Sequence, residues 1–420
     1  METPDVVVLG LGFTGLPTAL AAVEAGFAVL GLDVSSERVR RIVDGVAGFG
    51  LGTVAEGAVR DAVVSGRLRV SGGGVPRART HVLCVPTPPD LRGGVDLTAL
   101  TGAVESVAAV IEVGGLVLVQ STCPPGTVDE HVVPLLEERS GLRAGADFAV
   151  ASAPVRVDPG RSTHPFRAVP RVVGGYTPRC ARRATEFVRA IGNPVVEVGS
   201  ALAAEFVKVF ENTFRMVNIS LANELAGLCR AHGVDVAEVL RAAGTKPFGF
   251  LEHAPSAGAG GDCVPVAARF FALCASRVGA RSPVVDAALA VNDAMPPHTV
   301  HRLVEALRAN GRALRGSRIL VVGVTYKADV PNVRRSAAVA VVEELRRVAS
   351  VEYHDPHVPR LDLLDGTALH SVALDDVDWS TVDTVVVMTR HRAVDHEALA
   401  ARGVLTFDCG TGDALLGVRR

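Results

Sequence analysis

"DVVVLGLGFTGLPTALAAVEAG", Asp5 to Gly26, is the stretch on which the reading of the fold turns. A β-branched apolar run, Val6 to Leu9, meets a glycine-rich turn and then a helical pattern, so strand, turn and helix follow in order. Gly10, Gly12 and Gly15 fit G-x-G-x-x-G: a tight turn, room for a pyrophosphate, and close packing of helix on strand. The helix N-terminus would then face the phosphates with its unpaired N–H groups. A second strand, "AVLGLD", ends at Asp33, at about the twenty-residue interval where a carboxylate can hold a ribose diol. Together these signals predict a dinucleotide site, NAD rather than NADP, because the carboxylate would repel a 2′-phosphate. The competing reading is a glycine turn that binds nothing.

Outward from this unit, "THVLCVP", "LVLVQST" and "FAVASAP" are further strand candidates separated by helical stretches. Such alternation predicts an α/β domain with a parallel, doubly wound sheet. Near Ser200 the character changes: "ALAAEFVKVFENTFRMVNISLANELAGLCRAHG" runs without a proline and predicts a helix on the order of 45 Å long. That is too long for an ordinary crossover, and such a spine could join two domains or pair with its counterpart in a dimer. After Ala309, "NGRALRGSRILVVGVTYKADV", "SAAVAVVEELRRV", "VEYHDP" and "DTVVVMT" repeat the plan of loop, buried strand, turn and helix. The expected architecture is two Rossmann-like doubly wound domains joined by a long central helix and a helical core, divided at 1–198, 199–300 and 301–420.

At 420 residues and 48% hydrophobic content, two or three domains with sizeable cores are expected on a prior of roughly 150 residues each. Lys plus Arg number 43 against 45 Asp plus Glu, so no basic field points to nucleic acid or an anionic membrane surface, and any anion must be bound locally. Seven cysteines, an odd number without C-x-x-C or Cys/His spacing of zinc type, fit a reducing cytoplasm and imply no metal. The apolar start lacks a basic n-region and is interrupted by glycine and proline, and no segment approaches the roughly 18 unbroken apolar residues of a membrane span.

Two further constellations carry chemistry. Lys208 and Asn212 are spaced i,i+4 on the long helix and share one face, where lysine and amide can polarise an alcohol oxygen or cradle an oxyanion. Spacing alone leaves open a solvated lysine on a polar face. In "PSAGAGGDCVPVAARF", Cys263 follows Gly258, Gly260 and Gly261, which permit close backbone approach to a ligand. Cys263 reads either as a nucleophile, which would need a positive neighbour, or as a small buried residue at a turn.

The combination "LGLGFTGLP", "CVPTPPD", "QSTCPPGTV", "VVGG", "FVKVFENTFRMVNISLANELAGLC", "TKPFGF", "GAGGDCVPV", "VNDAMP" and "GVTYKADVPNVRRS" resembles the UDP-glucose/GDP-mannose dehydrogenase family over almost the whole chain. "TKPFGF" and "VNDAMP" look most like the branch acting on UDP-N-acetylhexosamines. The resemblance implies an N-terminal NAD domain, a helical dimerisation core and a C-terminal domain that holds the nucleotide of the sugar. It implies oxidation of a C6 alcohol in two hydride transfers, with an aldehyde captured by a cysteine and released as a uronate from a thioester, which divides a hard oxidation into easier steps. Residue by residue, Cys263 matches the nucleophile, Lys208 and Asn212 the pair that stabilises oxygen, and Thr122 the threonine that positions water. At the cofactor it implies Gly10, Gly12, Phe13, Thr14, Gly15, Asp33, Pro86, Thr87, Ser121 and Thr122, with Lys327 as a further contact. Phe250, Gly258, Gly260 and Gly261 fall in the sugar-binding loop, and Lys327 and Arg334 match positions that approach the nucleotide or the subunit contact.

The chain departs from the family pattern where carboxylates are expected. "APVR" stands where the family reads "SPER", so the glutamate credited with water activation is Val155, and the aspartate four residues beyond the cysteine is Ala267. Asp262 replaces a histidine or serine and puts a negative charge beside the thiol, unless it takes over as a base. Gly410 stands where the family often places an arginine. Val155 and Ala267 motivate one rival to a four-electron uronate-forming dehydrogenase, an enzyme that stops at the aldehyde or takes another nucleotide-linked substrate; a second rival, from another class, is a non-catalytic nucleotide-sugar-binding homologue.

Overall fold

A computed structural model describes residues 3–46, 56–90, 94–158, 160, 164–409 and 414–416. The chain resolves into two compact units, Met1–Glu211 with Arg269–Arg281, and Asn212–Ala268 with Ser282–Arg420, so two of the boundaries fall inside helices.

In the first unit, β1 (Val6–Leu9), α1 (Gly15–Glu24), β2 (Val29–Leu32), α2 (Ser36–Val43), α3 (Glu56–Val64) and β3 (Leu68–Ser71) form the first half of a Rossmann-like sheet. They are followed by β4 (Thr80–Leu83), α4 (Thr98–Ala108), β5 (Leu116–Val119), α5 (Val133–Ser140), β6 (Ala149–Ser152), β7 (Arg171–Gly175), α6 (Pro178–Ala190) and β8 (Val195–Val198). The sheet runs β3-β2-β1-β4-β5-β6-β7-β8. Strands β1, β4 and β5 are buried along their whole length, as expected of a parallel sheet covered on both faces. Alternation along β1 sends Val6 and Val8 into one core cluster and Val7 and Leu9 into the other. One pairing departs from the all-parallel expectation: β7 lies antiparallel to β6. No helix is described between Ser152 and Arg171, and without a crossover the chain can only return in the opposite direction.

Helix α7 (Ala201–Ala231) spans 31 residues, the long helix read from the sequence. It is followed by α8 (Val236–Gly244), α9 (Val264–Arg277) and α10 (Pro283–Ala309), the last continuing through Pro296 and Pro297. The second unit carries β9 (Arg318–Val322), α11 (Ala337–Leu345), β10 (Ser350–His354), β11 (Arg360–Asp362), β12 (Ala368–His370), β13 (Thr384–Val387), α12 (His396–Ala400), β14 (Leu405–Asp408) and β15 (Ala414–Leu416). Its main sheet runs β10-β9-β13-β14-β15, parallel except for the edge strand β15. Both sheets therefore reverse their order beside the first strand, between β1 and β4 and between β9 and β13, where open α/β sheets form a ligand crevice. Among the described residues, no helix is long and apolar enough to cross a membrane. All seven cysteines are free thiols, and only Cys263 is exposed.

Candidate active site

The carboxyl ends of β1, β2, β4 and β5 collect the residues expected at a dinucleotide. Gly10 has φ +89°, and a Cβ there would lie 2.7 Å from the Cys84 carbonyl oxygen; one on Gly15 would lie 1.8 Å from the Gly10 oxygen. Both positions are therefore closed to any other residue. Gly12 is the reverse case, since a Cβ there would meet nothing within 4 Å, which leaves the backbone open to a phosphate. Thr14 stands at the N-cap of α1 without a side-chain cap, and the half-buried Phe13 precedes it. Asp33 is buried and accepts the Leu11 N–H at 2.9 Å on one oxygen and the Ser35 N–H at 2.9 Å on the other. Arg38, which the sequence reading passed over, donates to the same carboxylate at 2.9 Å. A carboxylate offers about four acceptor positions, so capacity remains for a diol. After β4 and β5, Ser121 Oγ donates to the Val85 carbonyl at 2.7 Å and Thr87 Oγ1 to the Thr122 carbonyl at 2.6 Å, which ties the Pro86 and Thr122 turns together. An open glycine backbone, a helix N-terminus and a buried carboxylate on adjacent strand ends fit a bound dinucleotide.

Helix α7 buries Glu205 and Asn212, half-buries Lys208 between them, and exposes Leu202, Phe206, Phe210, Phe214, Leu221 and Leu228 on another face. Asn212 is 6% exposed and its Nδ2 has no hydrogen-bond partner among the described residues, so a buried donor is left open to an outside acceptor. Lys208 lies in the first unit, whereas Asn212 and Cys263 lie in the second. Glu205, which the sequence reading missed, accepts the Gly126 N–H at 2.8 Å and the Val128 N–H at 3.0 Å and so fixes the loop that follows Thr122. Burial pushes its carboxyl up to about 8, against the pull of those two N–H groups.

The Cys263 loop belongs wholly to the second unit. Asn292 on α10 accepts the Ala259 N–H at 2.6 Å and donates to the Ala259 carbonyl at 3.2 Å, and Asn223 on α7 accepts the Ser256 N–H at 2.7 Å. Gly261 donates to the Arg334 carbonyl at 3.1 Å. A Cβ on Gly260 would lie 2.5 Å from the Arg335 carbonyl oxygen, and one on Gly261 2.7 Å from the Tyr326 ring. These glycines thus admit the chain's own 326–335 segment. Asp262 is held by Arg334 at 3.2 Å and by Arg335, a residue at φ +51°. Cys263 is exposed, so it is not a buried filler, and its carbonyl receives the Ala267 N–H as α9 begins. Lys327 lies on the same 326–335 segment, and Phe250 is 40% exposed in the stretch that precedes the loop.

Val155 is 3% exposed within an apolar core cluster of the first unit, and Ala267 is fully buried in the second. Neither position can move a proton. Gly410 lies outside the described residues.

Residues 4–191 match the NAD binding domain of the UDP-glucose/GDP-mannose dehydrogenase family, residues 202–294 its central domain and residues 320–410 its UDP binding domain. The chain is 36% identical over 357 residues to a UDP-N-acetyl-D-mannosamine dehydrogenase of Pyrococcus horikoshii, covering 84% of each protein. It is 33% identical to a UDP-N-acetyl-D-glucosamine 6-dehydrogenase of Pseudomonas aeruginosa, covering 87% of this chain and 85% of the relative. Among solved structures, a UDP-D-ManNAc dehydrogenase from Pyrococcus horikoshii matches with a TM-score of 0.86 at 31% identity, over 97% of this chain and 100% of the other. With its glycine cradle, its buried Asp33 and all three parts of the family matched in order, the chain belongs to the UDP-glucose/GDP-mannose dehydrogenase family and binds NAD through its N-terminal unit.

Proposed function

We propose that this protein oxidises the C6 alcohol of a nucleotide sugar, a UDP-N-acetylhexosamine or UDP-hexose, to the uronate with NAD as acceptor. The relatives named above support this substrate class, and the observation in the structure that carries the reading is Cys263, the one exposed cysteine, on a loop pinned by Asn223, Asn292 and Arg334. Residues 1–198 serve the cofactor, 199–300 the chemistry and assembly, and 301–420 the nucleotide.

NAD, held at Gly10, Gly12, Gly15 and Asp33, supplies the hydride acceptor for each of the two oxidations. Lys208 and the unpartnered Nδ2 of Asn212 stabilise the negative charge that develops on the substrate oxygen as its proton leaves. The Cys263 sulfur then adds to the C6 carbonyl, forming a C–S bond and a tetrahedral thiohemiacetal. Loss of a second hydride from that carbon leaves a thioester. Water adds to the thioester carbonyl, the C–S bond breaks, and sulfur leaves as thiolate while C6 departs as carboxylate. Thr122 positions that water. Asp262, with both oxygens on arginines, is assigned to holding the loop.

The exposed apolar stripe of α7 supports a homodimer formed through that helix, and seven free thiols accord with a reducing, cytoplasmic setting. Incubation with a panel of nucleotide sugars, followed by mass spectrometry of products and NADH counting, tests the activity. Two NADH per sugar and a carboxylate are expected. No turnover of any nucleotide sugar refutes the reading, and one NADH with an aldehyde trapped by hydroxylamine replaces it with the aldehyde-forming rival, which Val155 and Ala267 motivate.

A further inference from the structure

The crevice between β9 and β13 is built around one imidazole. Val324 and Thr325 follow β9, Asp355 follows β10 and His391 follows β13, so four residues from three adjacent strand ends meet at the point where the strand order reverses. His391 is 1% exposed and Asp355 2%. His391 Nδ1 receives the backbone N–H of Asp329 at 3.0 Å, and a backbone N–H can only donate. The ring proton therefore sits on Nε2, which lies 3.1 Å from Asp355 Oδ2 and 3.2 Å from Thr325 Oγ1. Asp355 also accepts the Val324 N–H at 2.7 Å and the His357 N–H at 2.8 Å. Burial works to raise this carboxyl, but the bonds from His391, His357 and Val324 outweigh it and hold it below the ordinary carboxylate range.

The consequences fall on residues 325 to 329. Thr325 Oγ1 donates to the Lys327 carbonyl at 2.9 Å, and Thr389 Oγ1 donates to the Thr325 carbonyl at 2.7 Å. Asp329 stands at φ +59°, a left-handed conformation uncommon for a residue other than glycine. Its carboxylate is held by the Arg392 N–H at 3.0 Å and by Arg392 Nε at 2.6 Å. Between these anchors lie Lys327 and Tyr326, whose ring lies against Gly261 and whose Cβ lies against Gly260.

We propose that His391 is a positioning residue for nucleotide-sugar binding: its neutral imidazole, oriented by Asp355, fixes the 325–329 turn, so that Lys327 is held for the nucleotide and Tyr326 for the Cys263 loop. The proposal rests on the roles given to Lys327 and Cys263 above. Asp329, His357 and His391 do bring three ligand atoms within 4.8 Å of one another, as a divalent cation would require. The one lone pair of the His391 ring, on Nδ1, is already spent on the Asp329 N–H, however, so the imidazole has none to offer a cation. The cluster is a hydrogen-bond clamp.

The test compares wild type, His391→Leu and His391→Asn by calorimetry with UDP and by steady-state kinetics with a nucleotide sugar. His391→Leu should weaken UDP binding and raise the KM for the sugar on the order of tenfold, leaving kcat within about threefold and the KM for NAD unchanged. His391→Asn, whose side-chain oxygen can accept the Asp329 N–H, should recover much of the loss. A purely structural role would lower the active fraction, and hence kcat, without moving KM. Unchanged UDP affinity and KM in His391→Leu, a loss confined to kcat, or a divalent ion retained stoichiometrically by wild type and lost in His357→Ala would overturn the clamp. If His391→Leu does not fold, Thr325→Val, which removes the bond to the Lys327 carbonyl, must give the same KM shift in smaller measure or the clamp is overturned. Wild type that binds no UDP and turns over no nucleotide sugar brings down the functional reading, and the clamp with it.

Discussion

The nucleophilic role proposed for Cys263 draws its support from the bonds that the chain spends on holding the loop of an exposed thiol in place. Asn292 grips Ala259 twice, Asn223 takes the Ser256 N–H, and Gly261 is bonded to the Arg334 carbonyl. Replacing Cys263 with serine should leave the first oxidation running and stop the second, so that aldehyde accumulates with one NADH per sugar; undiminished uronate output would remove its covalent role. The candidate residues themselves were legible, because a glycine run ending in cysteine and a G-x-G-x-x-G turn are local patterns. Their partners were not. The arginines on Asp262 lie 72 and 73 residues away, and nothing local in "GAGGDC" announces them. For the same reason the glycines before Cys263 read as room for a ligand, whereas part of their necessity is the Tyr326 ring and the Arg335 carbonyl.

At the scale of elements, strands and helices followed from pattern: β-branched runs became β1, β4, β5 and β9, and the proline-free stretch became α7. The antiparallel β7 was not legible, because strand direction depends on what the connection folds into. Nor was the Glu205 contact, which joins α7 to the loop after Thr122 across 77 and 79 residues. That contact has a measurable pH signature. The folded state keeps a proton on Glu205 up to about pH 8, whereas the unfolded chain releases it near the ordinary value of 4.5. Between those values the native state binds more protons, so this group's contribution is fully present below about pH 4.5 and is lost as pH rises through 8. Glu205→Gln, uncharged at every pH, should gain Tm relative to wild type progressively from pH 5 to 8 and then level off. A Tm difference independent of pH would show that Glu205 does not titrate there.

Over the whole molecule, two sheets repeat one plan, each reversing its strand order beside its first strand, and composition together with the repeated strand–turn–helix rhythm was enough to foresee both. Assembly belongs to this scale too. Phe210 is 59% exposed, Leu221 61% and Leu228 62%, a spacing of large apolar side chains along α7 that a solitary chain would leave in water. Sedimentation should find a dimer, and Phe210→Glu, which puts a charge in that stripe, should shift it toward monomer at micromolar concentration. An identical sedimentation coefficient for the two would exclude α7 as the interface.

The valine at position 155 also bears on how an acid could be engineered into this chain. It is part of the apolar packing of the first unit, beside Ala153 and Phe166 in the same cluster, so its neighbours are shaped to a hydrocarbon. Writing a glutamate into that slot would bury an acid in apolar packing, at the cost of both packing and ionisation unless it reached the buried Arg171, whose guanidinium lies over the Phe166 ring. A lone Val155→Glu substitution therefore exchanges packed hydrocarbon for a carboxyl that must find a buried partner. An engineer who wants an acid at that position must redesign the lining together with it.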